Sequence, residues 1–140
     1  MKEVETLIYS RRTGDATLVN LCGGTGHIKF AFQSGEPQVP QMSYFMKSST
    51  PGIMVGDFVR SFSELYQFTI FSNQHPDIVA RMKRLFDGMV FTVPSNYAEL
   101  GKLESVFDWE GPDGFDESLE VMRKDVRFRF FAIPKAQNPI

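Results

Sequence analysis

Residues 65–88, LYQFTIFSNQHPDIVARMKRLFDG, contain the two clearest secondary-structure patterns of the chain. In the first seven residues, Tyr66, Phe68 and Ile70 alternate with polar side chains, which is the pattern of a strand with one buried face. The alternation extends back to Phe62. We therefore predict one long strand that buries its aromatic side and turns Ser, Gln and Thr side chains the other way.

The pattern then changes to that of an amphipathic helix between His75 and Gly88. Pro76 stands where a first-turn proline is tolerated, and Gly88 is a typical helix end. The apolar side chains between them recur at helical spacing, at Ile78, Val79, Met82, Leu85 and Phe86. A strand followed by such a helix predicts that the helix packs on one face of a sheet.

The N-terminal residues predict two helices separated by a turn. We expect the first helix to end at Thr13-Gly14-Asp15, with Asp15 as the N-cap of a second, shorter helix. Gly23-Gly24 is a typical stop for that second helix. The buried face of the first helix is predicted to contain Val4, Leu7, Ile8 and Arg11.

The rest of the chain reads as strands and connections. Period-two alternation predicts strands at Ile28–Phe32 and Met42–Met46, and a closing hairpin whose strands contain Leu103, Phe107 and Trp109, and then Val126 to Phe130. Residues 89–101 read as irregular. We predict a single α+β domain over residues 1–140. Its mostly antiparallel sheet has four to five strands, with an N-terminal helix and a second amphipathic helix packed on one face.

Residues 48–58 have loop composition around an apolar centre, Ile53, Met54, Val55 and Phe58. Contiguous apolar surface usually marks an interface, so these residues are candidate subunit contacts. Arg127 and Arg129, on the polar face of the last strand, are further candidates. The alternative is that the loop folds back on its own domain.

The connection between the hairpin strands, residues 110–117, is acidic and contains the Pro and Asp-Gly pairs of a turn. Its carboxylates do not follow the alternating ligand spacing of a calcium loop. We interpret the segment as a solvated hairpin tip that is also a candidate electrostatic docking surface. The residues proposed for that surface are Glu110, Asp113, Asp116 and Glu117.

The composition predicts neither a metal nor a cofactor. The 140 residues contain a single cysteine and two histidines, too few for a disulfide or a zinc cluster. The early acids Glu3 and Glu5 and the lack of a long apolar run argue against a signal peptide and a membrane span. A formal net charge of -2 argues against non-specific binding to duplex nucleic acid.

No catalytic constellation is predicted either. The Gly23-Gly24-Thr25-Gly26 segment lacks the Lys-Ser/Thr of a phosphate-binding loop and precedes a strand rather than a helix. His75 directly precedes Pro76 at a helix start, a position that needs no chemical role. Cys22 and the nearby His27 resemble part of a catalytic thiol–imidazole arrangement, but the sequence suggests no third group to orient them. We therefore expect a protein that is not an enzyme.

The order of elements resembles the tail terminator (tail-completion) proteins of long-tailed bacteriophages. The likeness covers most of the chain and is a pattern of elements rather than a catalytic motif. The matching segments are the helices from Leu7 to the double glycine at Gly24, the strands Ile28–Phe32, Met42–Met46 and Leu65–Phe71, the helix ending in Leu-x-Asp-Gly at Gly88, and the hairpin ending at Val126–Phe130.

This resemblance implies a structural virion protein, assembled in the host cytoplasm and located in the tail or neck. Its subunits would form a ring, typically a hexamer, that contacts the tail tube protein and the head–tail connector. DNA would pass through the ring without sequence readout. The alternatives are another neck or baseplate component of the same fold, and a monomeric phage-encoded module that inhibits a host protein.

Overall fold

A computed structural model describes residues 2–29, 39–51, 54–55, 58–59 and 61–135, with residues 54–55 and 58–59 described as backbone only. The α-helices are α1 (Lys2–Thr13), α2 (Ala16–Cys22) and α3 (His75–Phe86). The strands are β1 (Gln41–Pro51), β2 (Met54–Val55), β3 (Phe58–Val59), β4 (Phe62–Phe71), β5 (Met89–Val90), β6 (Leu100–Glu110), β7 (Gly114–Asp116) and β8 (Val121–Pro134).

Within these described residues, six strands form one sheet in the order β1-β4-β8-β6-β5, with β7 also paired to β8. All of its strand pairs are antiparallel. The predicted α+β class, with a mostly antiparallel sheet and helices packed on it, is confirmed. The sheet is larger than the predicted four to five strands because short strands at Met89–Val90 and Gly114–Asp116 extend it.

The core lies between the helices and one face of the sheet. Strand register places Tyr44, Phe68, Tyr66 and Phe128 on that face. The ring of Phe86, from the last turn of α3, packs against the rings of four neighbours, and its centroid lies 5.5 to 5.9 Å from theirs. These neighbours are Phe68, Phe91, Phe128 and Phe130. Phe68 and Phe86, which the sequence patterns placed on apolar faces, are therefore buried together with Phe128 and Phe130, and Phe91 from the segment predicted as irregular joins them.

Helix α1 buries Arg12 rather than the predicted Arg11. Arg12 is completely buried, together with Val4, Leu7 and Ile8. Arg11 is half-buried at the edge of the helix, where its Nε donates a hydrogen bond of 2.6 Å to the carbonyl of Leu85. A helical face is wide enough that adjacent positions compete for it, and only packing decides between them.

Glu3 attaches α1 to the otherwise irregular segment before β6. Its carboxylate accepts hydrogen bonds of 2.9, 3.0 and 2.8 Å from the backbone amides of Ala98, Glu99 and Leu100. Burial alone would raise the pKa of Glu3, but these amide hydrogen bonds outweigh it and lower the pKa. The segment predicted as irregular thus has a defined position where β6 begins.

The predicted N-cap of α2 is confirmed, and it also joins two helices. The Asp15 carboxylate accepts a 3.0 Å hydrogen bond from the Leu18 amide. The same carboxylate binds the Arg81 guanidinium of α3 through both oxygens, at 2.8 and 2.6 Å. The hydrogen bond from Arg81 lowers the pKa of Asp15. At the other end, Gly23 closes α2 with the left-handed backbone, φ 88°, that favours glycine.

Replacing Asp15 with alanine should lower the free energy of unfolding by about 1–2 kcal/mol. The substitution removes both the N-cap of α2 and the bidentate ion pair with Arg81. Asp15→Asn keeps a cap and should lose less. Because the folded-state pKa is depressed, the ion pair stabilises the fold above about pH 4 and is lost as the pH falls through the folded pKa. Urea unfolding at pH 7 and pH 3 tests this, and a wild-type advantage over Asp15→Asn that persists unchanged at pH 3 would contradict it.

The predicted loop at residues 48–58 is corrected in part. Residues 48–51 continue β1, which pairs with β4 as far as Pro51 opposite Phe62. Backbone pairing of Met54 with Val59 and of Val55 with Phe58 forms a small two-stranded ribbon. Ile53 lies outside the described residues, as does most of the predicted strand Ile28–Phe32. Ile28 itself makes a parallel bridge to Met42.

Candidate functional site

The α-helices of the described part of the chain all lie on the core side of the sheet. The opposite face of the sheet has no helix on it in that part of the chain and is therefore a candidate interface. Four large side chains of β6 and β8 on this opposite face, which we call the open face, are 36% to 42% exposed. They are Val106, Trp109, Phe131 and Ile133. Register places Val106 opposite Arg129, and Trp109 opposite Arg127. The open face therefore combines apolar surface with guanidinium groups.

Arg127 and Trp109 form the polar–aromatic centre of the open face. The Arg127 guanidinium lies 4.3 Å from the centroid of the Trp109 ring. Its Nε donates a 3.0 Å hydrogen bond to Oε1 of Gln67 on the neighbouring strand β4. Arg127 is thus held between Gln67 and Trp109, and Trp109 remains 37% exposed.

The other guanidinium groups of the open face each have a carboxylate nearby. Arg129 lies 3.5 Å from an oxygen of Asp108 and donates a 2.7 Å hydrogen bond to the Ser63 hydroxyl. Arg123 lies 3.6 Å from an oxygen of Asp125. Both predicted interface arginines, Arg127 and Arg129, thus lie on one surface, next to apolar residues that the sequence did not single out.

Lysines of the same chain pair with two of the four carboxylates of the acidic connection. Glu110 binds Lys83 at 3.0 Å and Lys124 at 3.1 Å, and Asp113 binds Lys124 at 2.8 Å. The hydrogen bonds that Lys83 and Lys124 donate to Glu110 lower the pKa of Glu110, and those that Lys124 donates to Asp113 and Glu110 raise the pKa of Lys124. Glu110 and Asp113 are therefore ion-pair partners within the subunit, and their docking role stays a prediction.

The turn between β7 and β8 contains two exposed carboxylates, Glu117 and Glu120, and follows a third acid, Asp116. Asp116 accepts hydrogen bonds from the Ser118 hydroxyl and the Leu119 amide, at 2.7 and 3.0 Å, and so stabilises the turn. Glu117 and Glu120 are exposed, and neither forms an ion pair or a side-chain hydrogen bond with any other described residue. Glu120 has a positive φ of 52°. Among residues 110–120, the exposed carboxylates without an ion pair or a side-chain hydrogen bond to a described residue are therefore Glu117 and Glu120.

A cleft of about 350 Å³ lies beside the lysine–carboxylate cluster, between α3 and the acidic connection. His75 lines it with its Nε2 3.9 Å from an oxygen of Asp113, and its buried Nδ1 has no hydrogen-bond partner among the described residues. The lysines of this cleft already bind Glu110 and Asp113. Its geometry is therefore that of an internal ion-pair cluster.

Cys22 and His27, which the sequence analysis considered for nucleophilic chemistry, lie in environments that suit a structural role. Cys22 is completely buried, and burial raises the pKa of its thiol to about 11, which opposes thiolate formation at neutral pH. The Nδ1 of His27 forms a hydrogen bond with the carbonyl of Pro40. Among the described residues, no group of three or more His, Cys, Asp and Glu side chains is arranged to hold a metal ion.

The described helices do not include one with the length and apolar character needed to cross a membrane. A comparison with protein-family models found no matching family, and a comparison with curated proteins found no matching relative. The functional interpretation therefore depends on the surfaces of this chain.

Proposed function

We propose that this protein is a structural subunit that acts by assembling with copies of itself. Following the resemblance in sequence, the assembly would be a ring that caps the head-proximal end of a phage tail tube. The ring would end tube polymerisation and join the tail to the head connector. Its partners would be the tube protein and the connector, and DNA would pass through its opening.

The open face is the observation that carries this proposal. Val106, Phe131 and Ile133 lie on the same face of β6 and β8, opposite Arg129, Glu104 and Lys102 respectively, with more than a third of each of the three apolar residues exposed. An aromatic and aliphatic surface of this kind, bordered by arginine, is typical of the centre of a protein–protein interface. A second copy that covered it would remove apolar area from water without requiring any chemistry.

Tube polymerisation tests the complete proposal. The tube protein is allowed to polymerise with and without this chain, and tube length is measured by electron microscopy. We expect shorter tubes with the protein bound at one end. Tubes of unchanged length, with no end-bound protein, would contradict the capping role. A monomer at every concentration that binds a host protein instead would support the inhibitor alternative.

Replacing Phe131 with aspartate should weaken self-association at least about 30-fold, because a charge would be buried at the centre of the interface. The matched control is Met46→Asp. Met46 is similarly exposed, at 42%, and pairs with Tyr66, whose buried side chain lies on the helix-covered face of the sheet. Sedimentation velocity over a range of concentrations measures both variants. Equal effects of the two substitutions would show that the open face is not the interface.

A further inference from the structure

Arg127 is a cation with no carboxylate within 4 Å among the described residues of its own subunit. Arg129 and Arg123 each have a carboxylate within 4 Å, whereas Arg127 has only Gln67 and the Trp109 ring among the described residues. A guanidinium stacked on an exposed tryptophan is typical of the residues that contribute most to binding. It is also a geometry that can receive a carboxylate through the remaining N–H donors.

Two exposed anions without an ion pair among the described residues lie at another place on the same subunit. Another such carboxylate, Glu104, lies on the open face itself, opposite Phe131. Glu117 and Glu120 flank the turn that precedes β8, whereas Arg127 lies seven residues after Glu120. Since a strand rises by about 3.3 Å per residue, roughly 23 Å separate the turn from Arg127. The two opposite charges therefore cannot meet within one copy.

Two complementary surfaces at different places on one chain have a specific consequence for assembly. If the turn of one copy binds the open face of the next, every copy uses one surface of each kind. Such head-to-tail contacts generate a ring when the rotation between copies closes. A face-to-face contact of two open faces would instead bring Arg127 of both copies close together, where like charges repel.

We propose that the turn containing Glu117 and Glu120 of one copy docks on the Arg127–Trp109 pair of the next copy. This inference depends on the proposed function, because it requires self-assembly, and it names the two surfaces that meet. The carboxylates bind the guanidinium donors that Gln67 leaves free. The Trp109 ring and Val106 provide the apolar area that the docked turn covers.

A charge exchange between two variants tests this pairing. Arg127→Glu has an acidic open face and a wild-type turn, and the double variant Glu117→Lys/Glu120→Lys has a basic turn and a wild-type open face. We expect each to self-associate at least about 30-fold more weakly than the wild type. An equimolar mixture should assemble again, because each altered surface then meets its complement.

The control is Arg84→Glu, which makes the same charge change at an exposed position of α3 away from the open face. Sedimentation velocity of each protein and of the mixture gives the result, and circular dichroism verifies that each variant is folded. Self-association of both variants at wild-type strength would overturn the inference, as would failure of the mixture to assemble.

The same measurements separate this inference from the proposed function. If the wild type assembles and shortens tubes while the charge exchange has no effect, the pairing of turn and open face is wrong and the assembly role stands. If the wild type remains a monomer and leaves tube length unchanged, both proposals are overturned. Assembly restored only in the mixture would support the head-to-tail contact and exclude a face-to-face dimer.

Discussion

Replacing Phe86 with alanine should lower the free energy of unfolding by about 3–5 kcal/mol, the largest loss expected from any single substitution discussed here. Phe86 is completely buried, and its ring contacts the rings of Phe68, Phe91, Phe128 and Phe130. Alanine keeps the helical backbone of α3 but leaves a cavity between the helix and the sheet. Chemical denaturation followed by circular dichroism measures the change.

The control for this substitution is Phe115→Ala. Phe115 is 58% exposed in the short strand β7, so its removal creates no internal cavity. We expect a change of no more than about 0.5 kcal/mol. A loss of less than about 1 kcal/mol for Phe86→Ala would show that the aromatic cluster around Phe86 is not the centre of the core.

The second large effect is an increase in the free energy of unfolding rather than a decrease. Replacing Arg12 with methionine should raise the free energy of unfolding by about 1–2 kcal/mol, because it removes a buried charge that has no carboxylate partner among the described residues. Arg12 donates one hydrogen bond, from Nη2 to the Lys29 carbonyl at 2.9 Å, but its Nε and Nη1 have no hydrogen-bond partner in the part of the chain that the structure describes. Methionine has a similar length and can pack against Tyr44 and Phe68.

Contacts with aromatic rings offset part of the cost of burying Arg12. Its guanidinium carbon lies 4.6 Å from the Tyr44 ring centroid and 5.3 Å from that of Phe68. Burial nevertheless lowers the pKa of Arg12 to about 10. A base with a depressed folded-state pKa costs stability at every pH below that value, and the cost is relieved only as the pH rises through it. The gain from Arg12→Met should therefore be constant between pH 5 and pH 9.

Arg12→Ala separates loss of charge from loss of volume. It removes the same charge but also leaves a cavity, so we expect it to be less stable than Arg12→Met by about 2 kcal/mol or more. Thermal and urea unfolding of the three proteins decide the question. A methionine variant that is less stable than the wild type would show that the guanidinium contributes net stability through its ring contacts and its hydrogen bond to Lys29.

Local patterns were sufficient for the elements whose signals lie within a few residues of one another. The strand at Phe62–Phe71, the helix from His75 and the Asp15 cap follow from alternation, helical spacing and capping chemistry. The same reasoning did not distinguish Arg11 from Arg12, because both border the apolar stripe of α1. It also did not show that Lys83 and Lys124 would neutralise Glu110 and Asp113, because Lys83 lies in a helix far from these acids in sequence.

The open face shows the same division between local and long-range causes. The sequence predicted a hairpin whose first strand contains Leu103, Phe107 and Trp109 and whose second strand contains Val126 to Phe130, with Arg127 and Arg129 on one side of it. Because Phe107 and Trp109 are two residues apart, regular alternation would place both on the same side of the first strand. The register shifts between these two residues, so that Phe107 pairs with Phe128 and Trp109 pairs with Arg127. Because one extra residue in a strand turns the next side chain to the opposite face, only the tertiary structure placed Trp109 beside Arg127 on the open face.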